Sequence, residues 1–222
     1  MPSITTVAPA EQSIGGYHAV RYGPGESVAV GASVVGLIAG RPHARQGDFI
    51  LTHSTGLYGT LIRFGEGLRY WGTDAQFAHW NHAAIFADDD GTIIEALGGG
   101  VQKRNISVYH DTEYVVVYLP VSTSGPDRQQ AADFADVSIG LSLLTGGKLG
   151  FGIDGQQICS ALVARCIERI GEIFKESEPW HIMPADLAKH FDVRLMGDRG
   201  RPPERGEGVV AASRPGWRQN GT

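Results

Sequence analysis

The chain has 222 residues, 42% hydrophobic and 19% charged, which fits one globular domain of ordinary size and excludes a disordered or fibrous protein. Lys and Arg number 19 and Asp and Glu 24, giving a formal charge of −5 and a pI near 5.9. That balance argues against nucleic acid as the main partner, because such proteins hold phosphate through an excess of cations.

Residues 1–24 mix Pro, Gly, Ser and Thr with few large apolar side chains, which predicts an irregular arm lying on the domain. The apolar stretch Ser27–Gly40 is shorter than the roughly 20 residues that cross a bilayer. It begins late for a signal peptide, and Glu26 rather than a basic cluster precedes it. The expectation is a cytoplasmic chain without stable membrane insertion, in which this stretch forms a core strand pair or helix.

Asp48–Thr52 (DFILT) is a short apolar run after Gly47, and Leu57–Tyr70 carries helical spacing at Leu57, Leu61, Ile62 and Phe64. Three strand candidates follow: Asn81–Ala87, Thr92–Leu97 and Glu113–Leu119, the last with three consecutive valines. After Pro126, Asp127–Leu144 reads as a helix with Ala131, Phe134, Ala135 and Ile139 on one face, stopped by Gly146 and Gly147. A helix over about Gln157–Phe174 has the clearest apolar stripe: Cys159, Leu162, Val163, Cys166, Ile167, Ile170 and Phe174. Pro184–His190 is a last short helix, with Pro in its first turn where a missing N–H costs nothing. Gly197–Thr222, rich in Gly, Pro and Arg, offers too little apolar surface to offset the entropy of ordering it.

The predicted organisation is an N-terminal arm and apolar segment over 1–45, one domain over 46–196 and a flexible tail over 197–222. The fold class is α+β, an antiparallel β core packed against helices.

Cys159 and Cys166 lie two helical turns apart, roughly 10 Å, beyond the approximately 7 Å Cα reach of a disulfide, so both are expected as free thiols. Cys159 falls in a first helical turn, where unpaired amides and the helix dipole favour a thiolate. Cys166 sits mid-helix among apolar neighbours and reads as core. A thiolate nucleophile needs a base, and the base an orienting group. His82 is the best candidate base, in a strand whose small neighbours leave room beside it, and Glu95 interrupts an otherwise apolar strand where an unpaired carboxylate is costly. Whether they meet depends on the turn. A hairpin centred between Asp88 and Asp89 puts them directly opposite on one face. A two-residue Asp90-Gly91 turn instead sets Glu95 against Phe86, out of His82's reach without a bulge.

No metal is expected, because His53, His79 and His82 lack a helical His-x-x-x-His or paired-Cys spacing. Asp88-Asp89-Asp90-Gly91 lacks the alternating ligands and twelfth-position Glu of a calcium loop. Gly146-Gly147-Lys148 fails as a phosphate-binding loop. Trp80, like Trp71 and His79, precedes the His82 strand, where it could line a substrate cleft or belong to the core.

The order Gly47-Asp48-Phe49-Ile50, Asn81-His82-Ala83-Ala84-Ile85, Ile94-Glu95-Ala96 and Ile158-Cys159-Ser160-Ala161-Leu162-Val163 resembles the YiiX-type, circularly permuted papain-like hydrolases. These are relatives of the NlpC-type cell-wall peptidases and of the lecithin retinol acyltransferase group. The likeness spans roughly Gln46 to Met196, and Met183-Pro184-Ala185 resembles the family's closing helix. Ordinary papain-like enzymes place Cys before His; here His82 and Glu95 precede Cys159, as the permutation requires.

The resemblance implies a permuted papain-like fold and a triad of Cys159 as nucleophile, His82 as general base and acid, and Glu95 fixing the imidazole, with no cofactor. It also implies a Cys159 backbone N–H in an oxyanion hole, with Gln156 or Gln157 as a side-chain donor. Ile158 and Ala161 depart from the aromatic and Glu common in relatives, and the acid lies one residue further from the His than in NlpC-type sequences. The expected activity is amidase or peptidase cleavage of a peptide-like amide through a thioester. The rivals are a lipid acyltransferase or thioesterase acting on acyl groups, favoured by an apolar groove, and a non-catalytic papain-like binding module, favoured if His82 and Cys159 stand apart.

Overall fold

The computed structural model describes residues 12–14, 16–31, 42–53, 72–97, 99–144, 159–172, 174 and 182–194. Among them are seven strands: β1 (Gln12–Ile14), β2 (Tyr17–Tyr22), β3 (Phe49–His53), β4 (His82–Phe86), β5 (Thr92–Leu97), β6 (Gly100–Asn105) and β7 (Glu113–Tyr118). They join, antiparallel throughout, into one sheet in the order β1-β2-β7-β3-β4-β5-β6. Three helices complete the described fold: α1 (Gly125–Leu144), α2 (Cys159–Glu168) and α3 (Pro184–His190). The class is α+β, as the alternation of patterns predicts.

Both faces of the central strands are covered, which is why they read as continuous apolar runs rather than alternating ones. On one face Phe49, Leu51, Ala83, Ile85, Ile94, Val115 and Val117 pack with Ala131 and Ala135 of α1, Leu162, Val163 and Ile167 of α2, and Leu187 of α3. On the other, Ile50, Ala84, Phe86, Ile93, Tyr114 and Val116 pack with Val20, Tyr22, Val28, Ala44 and Tyr109. The valine run of β7 thus splits by parity, Val115 and Val117 to the helices and Val116 away from them.

A buried ion pair ties β3 to α1. Arg128 Nη1 donates to Asp48 Oδ1 at 2.8 Å and to the Gln46 carbonyl at 3.0 Å, while Leu119 N–H donates to the same carboxylate oxygen at 2.9 Å. Burial dominates the Asp48 carboxyl and pushes its pKa up, against the opposing pull of Arg128 and the amides.

The structure departs from the sequence reading at three elements. Residues 17–22 are not an irregular arm: β2 pairs with β7 from His18↔Tyr118 to Tyr22↔Tyr114, and Val20 and Tyr22 are buried. The strand is short and its pairing partner lies far along the chain, so local composition hides it. β6 has four exposed polar residues, Gln102 to Asn105, and is held by its ladder to β5 and by its edge position, where charge guards against stray pairing. Helix α2 ends at Glu168, short of Phe174, because the chain turns through Gly171 at φ +92, a conformation that closes a helix. The expected Leu57–Tyr70 helix, most of Ser27–Gly40 and the tail over 197–222 lie outside the described residues.

Candidate active site

His82 is the first residue of β4 and pairs with Thr52 of β3. It shares parity with Ala84 and Phe86, whose side chains point away from the helices. Cys159, the first residue of α2, comes from the helix side, so the two meet at the strand's beginning rather than on either face. Ser160 Oγ donates to the Ile182 carbonyl at 2.6 Å, pinning the first turn of α2 to the segment that enters α3. Helix α3 is in turn capped by Asp186, which accepts the Met183 N–H at 2.8 Å.

The His82 imidazole and the Cys159 thiol lie close enough to interact, and the backbone N–H groups of Ala83 and Ser160 also favour an anion on the sulfur. The Ala83 donor exists because of the sheet. The even-numbered amides of β4 turn to β3, as Phe86 N–H does to Asp48 at 2.8 Å, so odd-numbered ones turn to β5. The β4–β5 ladder holds only Ile85↔Ile94 and Phe86↔Ile93 and stops before Ala83, which leaves its N–H to favour an anion on the nearby sulfur.

Glu95 completes the line. His82 Nε2 lies 2.7 Å from Glu95 Oε2, which leaves Nδ1 as the ring nitrogen for the thiol. Glu95 is fully buried and has two further donors: the Tyr109 hydroxyl at Oε2 and Arg104 Nη1, 3.1 Å from Oε1. Continuing the β4–β5 register sets Glu95 beside Ala84, two residues from His82 on the same face. Neither hairpin considered from sequence forms. Four residues, Asp88–Gly91, make the turn, closed by Ala87 N–H to the Thr92 carbonyl at 2.8 Å. Asp88 Oδ1 accepts from the N–H groups of Asp90 and Thr92 at 2.9 Å each, and Gly91 supplies φ +92.

The electrostatics follow from this line of contacts. Burial disfavours charge on the Cys159 thiol, yet the His82 imidazolium, its hydrogen bond and the two amides outweigh burial and bring the pKa below the ordinary thiol value. Burial likewise opposes a charged His82, but the facing thiolate and Glu95 prevail and raise its pKa to about 10. Burial also works against the Glu95 anion; the hydrogen bond and charge of His82, then Tyr109 and Arg104, overcome it and hold the carboxyl below its usual range. The arrangement is a thiol and an imidazole that each favour the other's charged form, backed by a buried carboxylate, a set of groups suited to nucleophilic attack on a carbonyl. Cys166 is fully buried, and burial pushes its thiol well up. The charge of Arg169 also favours the anion there but does not prevail.

Other sequence expectations fare differently. Trp80 is no cleft residue: it is wholly buried, its indole filling the helix-side core and its Nε1 donating to the Val193 carbonyl at 3.2 Å. Gln156, Gln157 and Trp71 lie outside the described residues. His53 and His79 stack with centroids 4.1 Å apart, and His79 Nε2 approaches Glu113 at 3.3 Å, a cluster separate from His82. Among the described residues no group of three or more His, Cys, Asp or Glu is placed to hold a metal ion. Tyr109 and Arg104 escaped the sequence reading. Arg104 belongs to the missed strand β6, where alternation puts it on the face of Glu95's partner Gln102; Tyr109 ends a short 3-10 turn whose one local signal is its Asn105 cap.

No family model, curated protein or solved structure matches this chain. Among the described residues no helix is long and apolar enough to cross a membrane.

Proposed function

We propose that the chain is a cysteine hydrolase of circularly permuted papain-like architecture that cleaves a peptide-like amide. The observation that carries this reading is the His82 Nε2–Glu95 Oε2 contact at 2.7 Å on a histidine whose interaction with Cys159 favours the thiolate.

The Cys159 thiolate attacks the amide carbonyl, and the tetrahedral oxyanion is stabilised by first-turn amides of α2, which have no intrahelical acceptors. The His82 imidazolium gives its proton to the departing amine, leaving a thioester on Cys159. Neutral His82 then takes a proton from water, whose oxygen attacks the thioester; the acid is released, and thiolate and imidazolium are restored. Glu95 holds the ring so that Nδ1 faces the sulfur throughout.

The test combines a thiol-directed activity probe, mapped by mass spectrometry, with turnover of a panel of fluorogenic peptide amides. Cys159 should label ahead of Cys166, and Cys159→Ala should lose turnover while keeping its fold. Equal turnover in wild type and Cys159→Ala removes the proposal.

A further inference from the structure

An orienting carboxylate needs one partner on the imidazole; Glu95 has three donors. The two extra ones arrive from separate segments. Arg104 stands in β6, two residues beyond Gln102, the strand partner of Glu95. Tyr109 ends the turn Ile106–Tyr109, which is tied to the β4–β5 loop by Ile106 N–H donating to the Gly91 carbonyl at 2.9 Å. Tyr109 is buried, and its hydroxyl shares Oε2 with His82 while Arg104 takes Oε1.

We propose that Tyr109 and Arg104 are positioning residues of the Cys159 site, sharing the charge of Glu95 with His82 and so setting how tightly the imidazolium is held. This rests on the hydrolase reading. Donors to one carboxylate compete, since each disperses charge that would otherwise attract the others. An imidazolium gripped by an undivided carboxylate is a poor general acid, because it surrenders its proton reluctantly to the leaving amine. A carboxylate with no other partners also fixes the ring's direction less well. Tyr109 and Arg104 answer both needs: they hold Glu95 in one orientation and weaken its pull.

Among the described residues, the titratable and charged groups facing His82 and Glu95 are Cys159 from α2, Arg104 from β6 and Tyr109 from the turn after it. The decisive experiment titrates His82 in the full-length chain by imidazole nitrogen NMR, its signals assigned by their loss in His82→Gln. In Tyr109→Phe and in Arg104→Gln the His82 midpoint should move to higher pH, a roughly three- to tenfold smaller dissociation constant. Arg104→Lys, which keeps the cation, should stay close to wild type. The Arg104 side chain is 39% exposed, so its variants are expected to fold and carry the test even if Tyr109→Phe does not. An unmoved or lowered midpoint in folded Arg104→Gln overturns the inference while leaving the hydrolase reading intact. A wild type that turns over peptide amides no faster than Cys159→Ala defeats the hydrolase reading itself.

Discussion

Glu95 stands diagonal to His82 across the β4–β5 pair, and its Oε2 still reaches Nε2 at 2.7 Å. Diagonal neighbours on one sheet face are roughly 7–8 Å apart at Cα, a gap that an imidazole and a glutamate side chain can span together. The length of the glutamate side chain is therefore part of the geometry.

Glu95→Asp, conservative in charge, should behave almost as badly as Glu95→Gln. The lost methylene withdraws the carboxylate by about 1.5 Å, and each variant should lower kcat/KM by on the order of 10²-fold or more, within the range for general acid–base groups. Kinetics on whichever peptide amide the wild type cleaves checks this; an aspartate variant with undiminished turnover would contradict the contact.

Cys159 should react with iodoacetamide at pH 7 far faster than Cys166, because its pKa is depressed while that of Cys166 is elevated. His82→Gln should abolish the advantage, since the imidazolium is the leading stabiliser of the thiolate. Mass mapping of the alkylated chain after short exposures gives the rates directly.

The same pair makes stability depend on pH with a definite sign. In the fold His82 has a pKa of about 10, above its ordinary 6.5, so its stabilisation is full below about 6.5 and lost as pH rises through 10. Cys159, depressed, contributes in the opposite sense, and its share is lost as pH falls through its value in the fold. Urea unfolding of wild type and His82→Gln should therefore converge in midpoint as pH climbs past 10; a gap that persists there refutes the linkage.

Much of this arrangement is legible in the sequence, and for physical reasons. Thr92–Leu97 and Pro184–His190 are read to the residue because apolar pattern and helix punctuation are local signals. Cys159, His82 and Glu95 are each suspicious on chemical grounds, a thiol at a helix start and polar groups in apolar strands. Their meeting is not readable, because two turns fit Asp88–Gly91 and the one formed is neither. Arg104, Tyr109 and β2 stay hidden for a related reason: each acquires its meaning from a partner distant in sequence.

Arg128→Met should destabilise the fold by about 3–5 kcal/mol, since it strands the Asp48 carboxylate in the interior. Replacing both with apolar residues of similar volume should cost much less. Chemical denaturation of the single and double variants measures the difference.

Gly91→Ala should lower stability by about 1–3 kcal/mol. Its φ is +92, and an added Cβ would meet Val30 Cγ2 at 3.1 Å and Ile106 Cγ2 at 3.2 Å. Since Ile106 begins the turn that delivers Tyr109, the variant should also disturb the carboxylate's partners, visible as a shifted His82 imidazole resonance.

The early end of the β4–β5 ladder has one more outcome. A single hydrogen, on the Ala83 amide, is left to favour the nucleophile's anion where a longer ladder would claim it for strand pairing. Sheet regularity and thiolate reactivity thus trade against each other at that amide, and any change that zips the two strands one pair further would make a tidier sheet and a duller sulfur.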